Sequence, residues 1–388
     1  MKKFVFFLIL ILCCTVAAFA LPGKEDKKAD VKIGFIGPLT GDTAEYGVRC
    51  LQAVKLAFEK VNGEGGIDGK NVVIVSEDSE GVPEKALAAY EKLANTDKVC
   101  CIIGPVLTGE TFAVADKAQE DGILIISPSA SHKDITSVGD YIFRTTPSDG
   151  LQGEVAGYYF ADVLGYKKIA VLYAKNDYSQ GLYEGMKEAF EKRGGQIVGV
   201  ETCMVGDKDF KTQLTKLRQL NPQAIYIPDY YTEIAQILEQ ASQLGMNVPF
   251  LSCDGFSNPE IFKLAGPYTK GIVYFGSPKS ETSSAYEEFY NTFDKKYGWV
   301  PDIFATNAYD ASLVLTEAIK KSGTDRKAIR KAVSEIKDFN GVQGIINFEK
   351  NGDIVAYQGV YEVKGTTLDS VEYKGSFTVT GNSLVKVD

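Results

Sequence analysis

From Val31 onward the chain alternates short apolar runs with amphipathic stretches, the pattern of a parallel sheet whose strands are joined by crossover helices. Runs at 31–37, 71–76, 99–103, 123–127 and 141–145 read as strands. Between them, Val48, Leu51, Val54, Phe58 and Val61 recur on one helical face, and Pro83 opens a second helix where its missing N–H costs nothing. The alternation then restarts, with strands expected near 168–173, 196–202, 224–228, 249–251 and 271–275. The turn-rich passage Thr145-Thr146-Pro147-Ser148-Asp149-Gly150 separates the two series. After Ser277-Pro278 come helices near 283–297, 301–321 and 326–334, then β-like runs at 343–348, 354–363 and 371–379. The count fits an α/β chain of two doubly wound parallel-sheet lobes joined by a three-segment hinge. Lobe 1 takes residues 31–147 and 278–347; lobe 2 takes 148–277 and 348–388.

The first twenty residues break this pattern. Lys2 and Lys3 precede an apolar run from Phe4 to Leu12, which ends in Ala18-Phe19-Ala20, the layout of a cleavable secretory signal. The run is short for a membrane span, and no later stretch approaches the roughly 18 apolar residues a span needs. Cys13 and Cys14 offer a lipoprotein alternative, but Ile11 and Leu12 stand where small residues are expected. Cleavage after Ala20 is therefore the expectation, followed by a charged, aperiodic flexible leader over 21–30. The mature protein is expected to be periplasmic or otherwise extracytoplasmic, with no direct membrane insertion.

Charge narrows the partners. The chain carries 42 basic and 51 acidic residues, a net −9, and loss of Lys2 and Lys3 with the leader makes it more acidic, which argues against nucleic acid and anionic membranes. Length beyond the leader exceeds the roughly 250–300 residues at which one core stops growing, in keeping with two lobes. Cys50, Cys100, Cys101, Cys203 and Cys253 remain after export, an odd number without a C-x-x-C that excludes a fully paired disulfide framework. Cys100 and Cys101 lie in the apolar run from Val99 to Ile103, where a small buried hydrophobe is the simplest role. The single histidine, His132, has no partner for a metal set and reads as a loop residue, and Trp299 reads as packing between helices. No metal or cofactor is expected.

In doubly wound sheets ligands collect beyond the carboxyl ends of strands, where helix N-termini present free N–H groups. Thr108, after 99–103, is placed to give a hydroxyl and an N–H to a carboxylate, though any Thr there also caps a helix. Pro128-Ser129-Ala130-Ser131, after 123–127, adds small hydroxyl residues in what alone would be a turn. In the second series Tyr178, Tyr230, Tyr231 and Asp254 follow strands; individually they are core filler, rim or turn residues. Together, hydroxyl donors on one lobe and aromatics with a carboxylate on the other suit a zwitterion with an apolar tail. No G-x-S-x-G elbow, P-loop or H-E-x-x-H occurs, and Gly63, Gly65, Gly66 and Gly69 follow a helix instead of a strand, so enzymatic chemistry lacks a motif.

An ordered set of segments carries a resemblance: Gly37-Pro38-Leu39-Thr40-Gly41 with Tyr46-Gly47, Gly65-Gly66-Ile67-Asp68-Gly69-Lys70, Ile103-Gly104-Pro105, Ser127-Pro128-Ser129-Ala130-Ser131, Phe143-Arg144-Thr145-Thr146-Pro147, Asp177-Tyr178-Ser179-Gln180-Gly181 and Lys208-Asp209-Phe210. From about Val31 to about Tyr361 the chain resembles the periplasmic leucine/isoleucine/valine-binding protein family, type I solute-binding components of ABC importers. The resemblance implies a monomeric, non-enzymatic receptor with the type I periplasmic-binding-protein fold, which delivers a branched-chain amino acid to an ABC-type membrane permease. Thr108 and Ser131 would hold the ligand carboxylate, and the Ser129 carbonyl, in the loop with Ala130, would take the ammonium with Asp254. Tyr178 and Tyr230 would supply second-lobe aromatics; Tyr46, Leu107 and Phe304 would line the side-chain pocket. Two departures bear on this. The family's disulfide between the loops after the second and third strands is replaced by Gly81 and Leu107, so packing is expected to stiffen those loops. Asp229 stands where the family carries a small residue, and a carboxylate beside Tyr230 would favour a ligand with a donor in its side chain. An aromatic amino acid, an amide or a short-chain acid as ligand, and a sensory role, remain the alternatives.

Overall fold

The computed structural model describes residues 30–279 and 283–388; the expected signal segment and nearly all of the leader lie outside them. The first unit runs β1 (Val31–Gly37), α1 (Ala44–Gly63), β2 (Val72–Asp78), α2 (Pro83–Glu91), β3 (Ile102–Ile103), α3 (Thr108–Asp121), β4 (Ile125–Ser127) and β5 (Ile142–Arg144). The second repeats the scheme with α4 (Asp149–Tyr158), β6 (Lys168–Ala174), α5 (Asp177–Lys192), β7 (Gln196–Cys203), α6 (Lys211–Gln219), β8 (Ala224–Ile227), α7 (Tyr231–Gln243), β9 (Phe250–Ser252), α8 (Glu260–Ala265) and β10 (Val273–Gly276). There follow α9 (Ser284–Tyr297), α10 (Ile303–Ser322), α11 (Arg326–Ser334), the small pair β11 (Phe339–Asn340) and β12 (Ile345–Ile346), and β13 (Gln358–Val363), β14 (Val371–Thr380) and β15 (Ser383–Lys386).

The two sheets repeat one topology. The first is parallel throughout in the order β2-β1-β3-β4-β5, and the second contains the same arrangement as β7-β6-β8-β9-β10. The expected pair of doubly wound units is present. The second is extended by β13, β14 and β15, each antiparallel to its neighbour. In this strand order the switch points fall between β1 and β3 and between β6 and β8, where adjacent crossovers leave on opposite faces and a crevice opens beyond the strand ends.

Packing follows the apolar pattern. Ile33 and Phe35 on β1 are buried against Leu51, Val54 and Phe58 of α1, each side chain contributing on the order of 1.5–3 kcal/mol on full burial. α10 lies along α1 with Ala305, Ala308, Val314 and Leu315 buried, so this late helix completes the layer that α1 begins. Gly47 makes one close approach possible: a Cβ there would sit 1.9 Å from the Pro38 carbonyl oxygen. Helix starts are chemically marked, with Asn176 accepting from the Ser179 N–H (2.8 Å) and Asp302 from the Ala305 N–H (2.9 Å).

Two local expectations need correction. Of the apolar run 99–103 only Ile102–Ile103 is strand, because a π-helical turn, Lys92–Asp97, ends at Lys98 in a left-handed conformation (φ 56°) and the chain bends at Cys100. On α1 the buried face includes Arg49, 1% exposed. Its guanidinium lies 3.6 Å from Asp302, 3.3 Å from Glu45 and 5.0 Å from the Trp299 ring centroid. Trp299 thus packs as expected between helices, but over a cation.

Candidate functional site

The loops that leave both switch points converge. Loops after β1 and β3, together with the turn after β4, face those after β6, β8 and β9 across one crevice. There Tyr46, Leu107, Thr108, Ser129, Tyr178, Tyr230, Asp254 and Phe304 line a space of about 250 Å³ with Val106 and Gly255. Every side chain expected from the sequence lies there except Ala130 and Ser131. Ala130 is buried in the apolar cluster behind the loop, beside Ile125 and Ile135. Ser131 is buried next to it, with its hydroxyl beside the Asp149 carboxylate.

The first unit supplies hydroxyls. Gly104 turns the chain out of β3 at φ +110°, passing so close to β1 that a Cβ would fall 2.3 Å from the Ile36 carbonyl oxygen. Thr108 then begins α3, and its Oγ1 is buried without a hydrogen-bond partner. Buried unpaired hydroxyls are costly, about 1–3 kcal/mol each; the one at Thr108 lines the crevice, whereas Ser131 lies behind it beside Asp149. Ser127 holds their loops together: its hydroxyl donates to the Pro105 carbonyl (2.6 Å) and accepts from the Ala130 N–H (2.9 Å).

Glu110 is the residue that sequence reasoning missed in this loop. Its carboxylate accepts from the Ser79 hydroxyl (2.5 Å) and from the Leu107 N–H (3.1 Å), so it ties the turn after β2 to the loop that presents Thr108. Packing alone was expected to stiffen these segments; a buried carboxylate does so directly. Burial pushes its pKa up to about 7, against the lowering effect of the Ser79 and Leu107 hydrogen bonds.

The second unit supplies aromatics and acid. Tyr178 and Tyr230 stack with centroids 5.1 Å apart and planes 8° from parallel, while Tyr46 sets its ring edge-on to Phe304 at 4.7 Å. The Tyr178 hydroxyl donates to Asp254 Oδ1 (2.7 Å) and accepts from the Gly255 N–H (3.0 Å). Gln152 grips Asp254 from the other side, donating to Oδ1 (2.9 Å) and accepting from the Asp254 N–H (2.9 Å). Tyr46 crosses the crevice: its hydroxyl donates to the Gly255 carbonyl (2.9 Å) and accepts from the Tyr231 N–H (3.1 Å).

A second acid lies nearby. Asp149, the first residue of α4, is fully buried, and the Ser131 hydroxyl is the hydrogen-bonding neighbour beside its carboxylate. Burial, and then repulsion from Asp254, holds its pKa well above the ordinary carboxylate range. Asp254 is raised by burial too, with the Tyr178 and Gln152 hydrogen bonds working the other way. Two such carboxyls titrate as a pair. The sequence places Asp149 in the turn-rich break between the two series, so only its burial reveals it.

Asp229 has a different position from the one its sequence suggested. Its carboxylate accepts from the Ala174 N–H (2.8 Å) and the Tyr230 N–H (2.9 Å), with the Ser179 hydroxyl at 3.3 Å. It is fully buried behind the crevice wall and clamps the ends of β6 and β8 instead of facing a ligand. His132 is more than a loop residue: its ring packs edge-on against Phe112 at 5.1 Å. Among the described residues no cluster of three or more metal-binding side chains occurs, and no helix is long and apolar enough to cross a membrane.

Comparison with known proteins places this geometry. Residues 30–367 match the family model described as periplasmic binding protein. The leucine-, isoleucine-, valine-, threonine- and alanine-binding protein of Pseudomonas aeruginosa is 32% identical over 89% of this chain and 94% of its own. A Leu/Ile/Val-binding protein homolog of Brucella melitensis is 31% identical over 84% and 89%. Among solved structures, the leucine binding protein LivK of Thermotoga maritima superposes with a TM-score of 0.83 at 31% identity, covering 89% of this chain and 98% of that one. The substrate binding protein LivJ of Streptococcus pneumoniae, solved with isoleucine, gives 0.83 at 30% identity over 89% and 99%.

Proposed function

Because the chain belongs to the periplasmic binding protein family, we propose that it is the extracytoplasmic solute-binding receptor of an ABC importer, which captures a branched-chain amino acid between its two units and presents it to a membrane permease. The observation that carries this reading is the division of chemistry across the crevice. The unpartnered hydroxyl of Thr108 suits an α-carboxylate, with Ser131 buried behind the lining, and the Ser129 carbonyl with Asp254 suits an α-ammonium. Leu107, Val106, Tyr46 and Phe304 leave an apolar space for the side chain. Relatives whose names specify leucine, isoleucine and valine support the class of ligand. Asp229 is consumed by backbone N–H groups, so it gives no reason to prefer a ligand with a polar side chain.

The receptor acts by closure, as a monomer and without covalent chemistry. Binding energy from groups on both units is available only when the crevice is shut, so ligand shifts the population toward the closed form that a permease reads. A thermal-shift screen over the amino acids tests the ligand class, since a native-state binder raises the melting temperature. Leucine, isoleucine and valine should give the largest shifts. Replacing Asp254 by Ala should abolish calorimetric binding of leucine, because the ammonium would be buried without its counter-charge; retained affinity would refute the assignment.

A further inference from the structure

The end of the first sheet away from the crevice holds two thiols in an arrangement that regular strand geometry does not produce. In a strand, neighbouring side chains point to opposite faces. Here the chain bends at Cys100 just before β3, and the sulfurs of Cys100 and Cys101 come within 3.8 Å of each other. Cys101 is fully buried, while Cys100 reaches the wall of a surface cleft of about 330 Å³. Lys32, Lys98 and Arg326 line that cleft with the carboxylates of Asp30 and Asp97. The Arg326 guanidinium donates to the Val99 carbonyl (3.0 Å), next to the pair.

We propose that Cys100 and Cys101 form a two-thiol capture site for a thiophilic trivalent centre of the arsenic(III) or antimony(III) kind, which brings its own third substituent. A trivalent arsenic centre carries a lone pair and holds its sulfur ligands at an angle below tetrahedral, so two sulfurs already 3.8 Å apart need only a small further approach to bind one atom. A structural zinc site needs four ligands, and no third metal-binding side chain joins these two among the described residues. A disulfide fits less well, because neighbouring Cα atoms are about 3.8 Å apart and disulfides usually span about 4.4–6.8 Å. The Cys100 thiol is held below its ordinary pKa, first by its hydrogen bond with Cys101 and further by the charge of Arg326, so this member, which lines the cleft, supplies the attacking thiolate. The reaction needs no oxidant. Each thiol forms one sulfur–arsenic bond, the arsenic–oxygen bonds break, and the oxygen leaves as water with the two thiol protons.

Phenylarsine oxide is the probe. The folded, leader-free protein treated with one equivalent should gain the mass of one phenylarsine oxide less one water per chain by intact mass. The adduct should resist a monothiol, be released by a dithiol, and map after proteolysis to the peptide containing residues 100 and 101. C100S and C101S should each lose the retained adduct, and C203S should keep it. Absence of an adduct on the folded wild type, its mapping to another peptide, or its retention in both C100S and C101S would overturn the proposal. Peptide mapping is done on the wild type, so it decides the matter even if a variant folds poorly.

Discussion

Replacing Glu110 tests how the ligand loop is held. The carboxyl is 1% exposed, bridges Ser79 to Leu107, and has its pKa pushed from 4.5 to about 7 by burial. A carboxyl whose pKa is higher in the folded state than in the unfolded one favours folding while protonated. Its contribution is fully present below about pH 4.5, falls as pH rises, and levels off above about pH 7. The interval from 4.5 to about 7, at about 1.4 kcal/mol per pH unit, comes to about 3 kcal/mol. E110Q keeps one acceptor for the Leu107 N–H and one donor for the Ser79 hydroxyl but cannot ionise. Urea unfolding at pH 5 and pH 8 should show the wild type losing about 3 kcal/mol more stability than E110Q over that range. Asp310 and Asp229, raised by burial to about 7 and about 8, tilt both proteins alike and cancel in the difference. E110A should also weaken leucine binding, because the Leu107 N–H is left unpaired and the Thr108 loop loses its tie to Ser79. Parallel pH profiles for wild type and E110Q, or wild-type affinity in E110A, would refute the reasoning.

Other consequences can be checked with the same material. Tyr178→Phe removes the hydroxyl that orients Asp254 and receives the Gly255 N–H, so calorimetry should show affinity for leucine reduced about tenfold, equivalent to about 1.4 kcal/mol. Arg49→Ala strands the buried Asp302 carboxylate, and urea unfolding should show a loss of about 3–5 kcal/mol. Because burial raises both Asp149 and Asp254, and repulsion from Asp254 raises Asp149 further, arrival of an ammonium should expel a proton. Titration calorimetry in buffers of different ionisation enthalpy should detect that release, and D149N should diminish it.

The sequence revealed most of the fold because both sheets are built from apolar runs separated by amphipathic helices. It failed where a local rule was overridden from a distance. Val99 to Cys101 is as apolar as a strand, but a left-handed Lys98 and the bend at Cys100 delay pairing until Ile102. Asp229 and Asp254 give the same signal, an aspartate just beyond a strand. One is used up by the Ala174 and Tyr230 N–H groups while the other lines the crevice. Glu110 looked like an ordinary acid where a loop runs into a helix, and Asp149 like a residue of the turn-rich break between the two series; their burial is a tertiary fact. Gly255 lines the space without a side chain to announce it, and Val106 had no signal beyond an apolar loop position.

The same residues that line the crevice also shut it, which bears on how much closure can cost. Tyr46 reaches from α1 to the Gly255 carbonyl and the Tyr231 N–H, and Lys208 reaches back to Asp42 at 3.0 Å. Each such bond replaces one made with water in the open form, so its net worth is about 1 kcal/mol at most for neutral partners and less for an exposed ion pair. Against this, the shut crevice offers no protein partner to the Thr108 hydroxyl and leaves the buried Asp149 carboxylate with only Ser131 beside it, and burying such under-partnered groups costs about 1–3 kcal/mol each. The contacts across the crevice and the orphaned groups within it are therefore of similar size and opposite sign. A ligand that satisfies the orphans removes the opposing contribution, so a few well-placed polar groups on a small zwitterion suffice to move the equilibrium from open to closed.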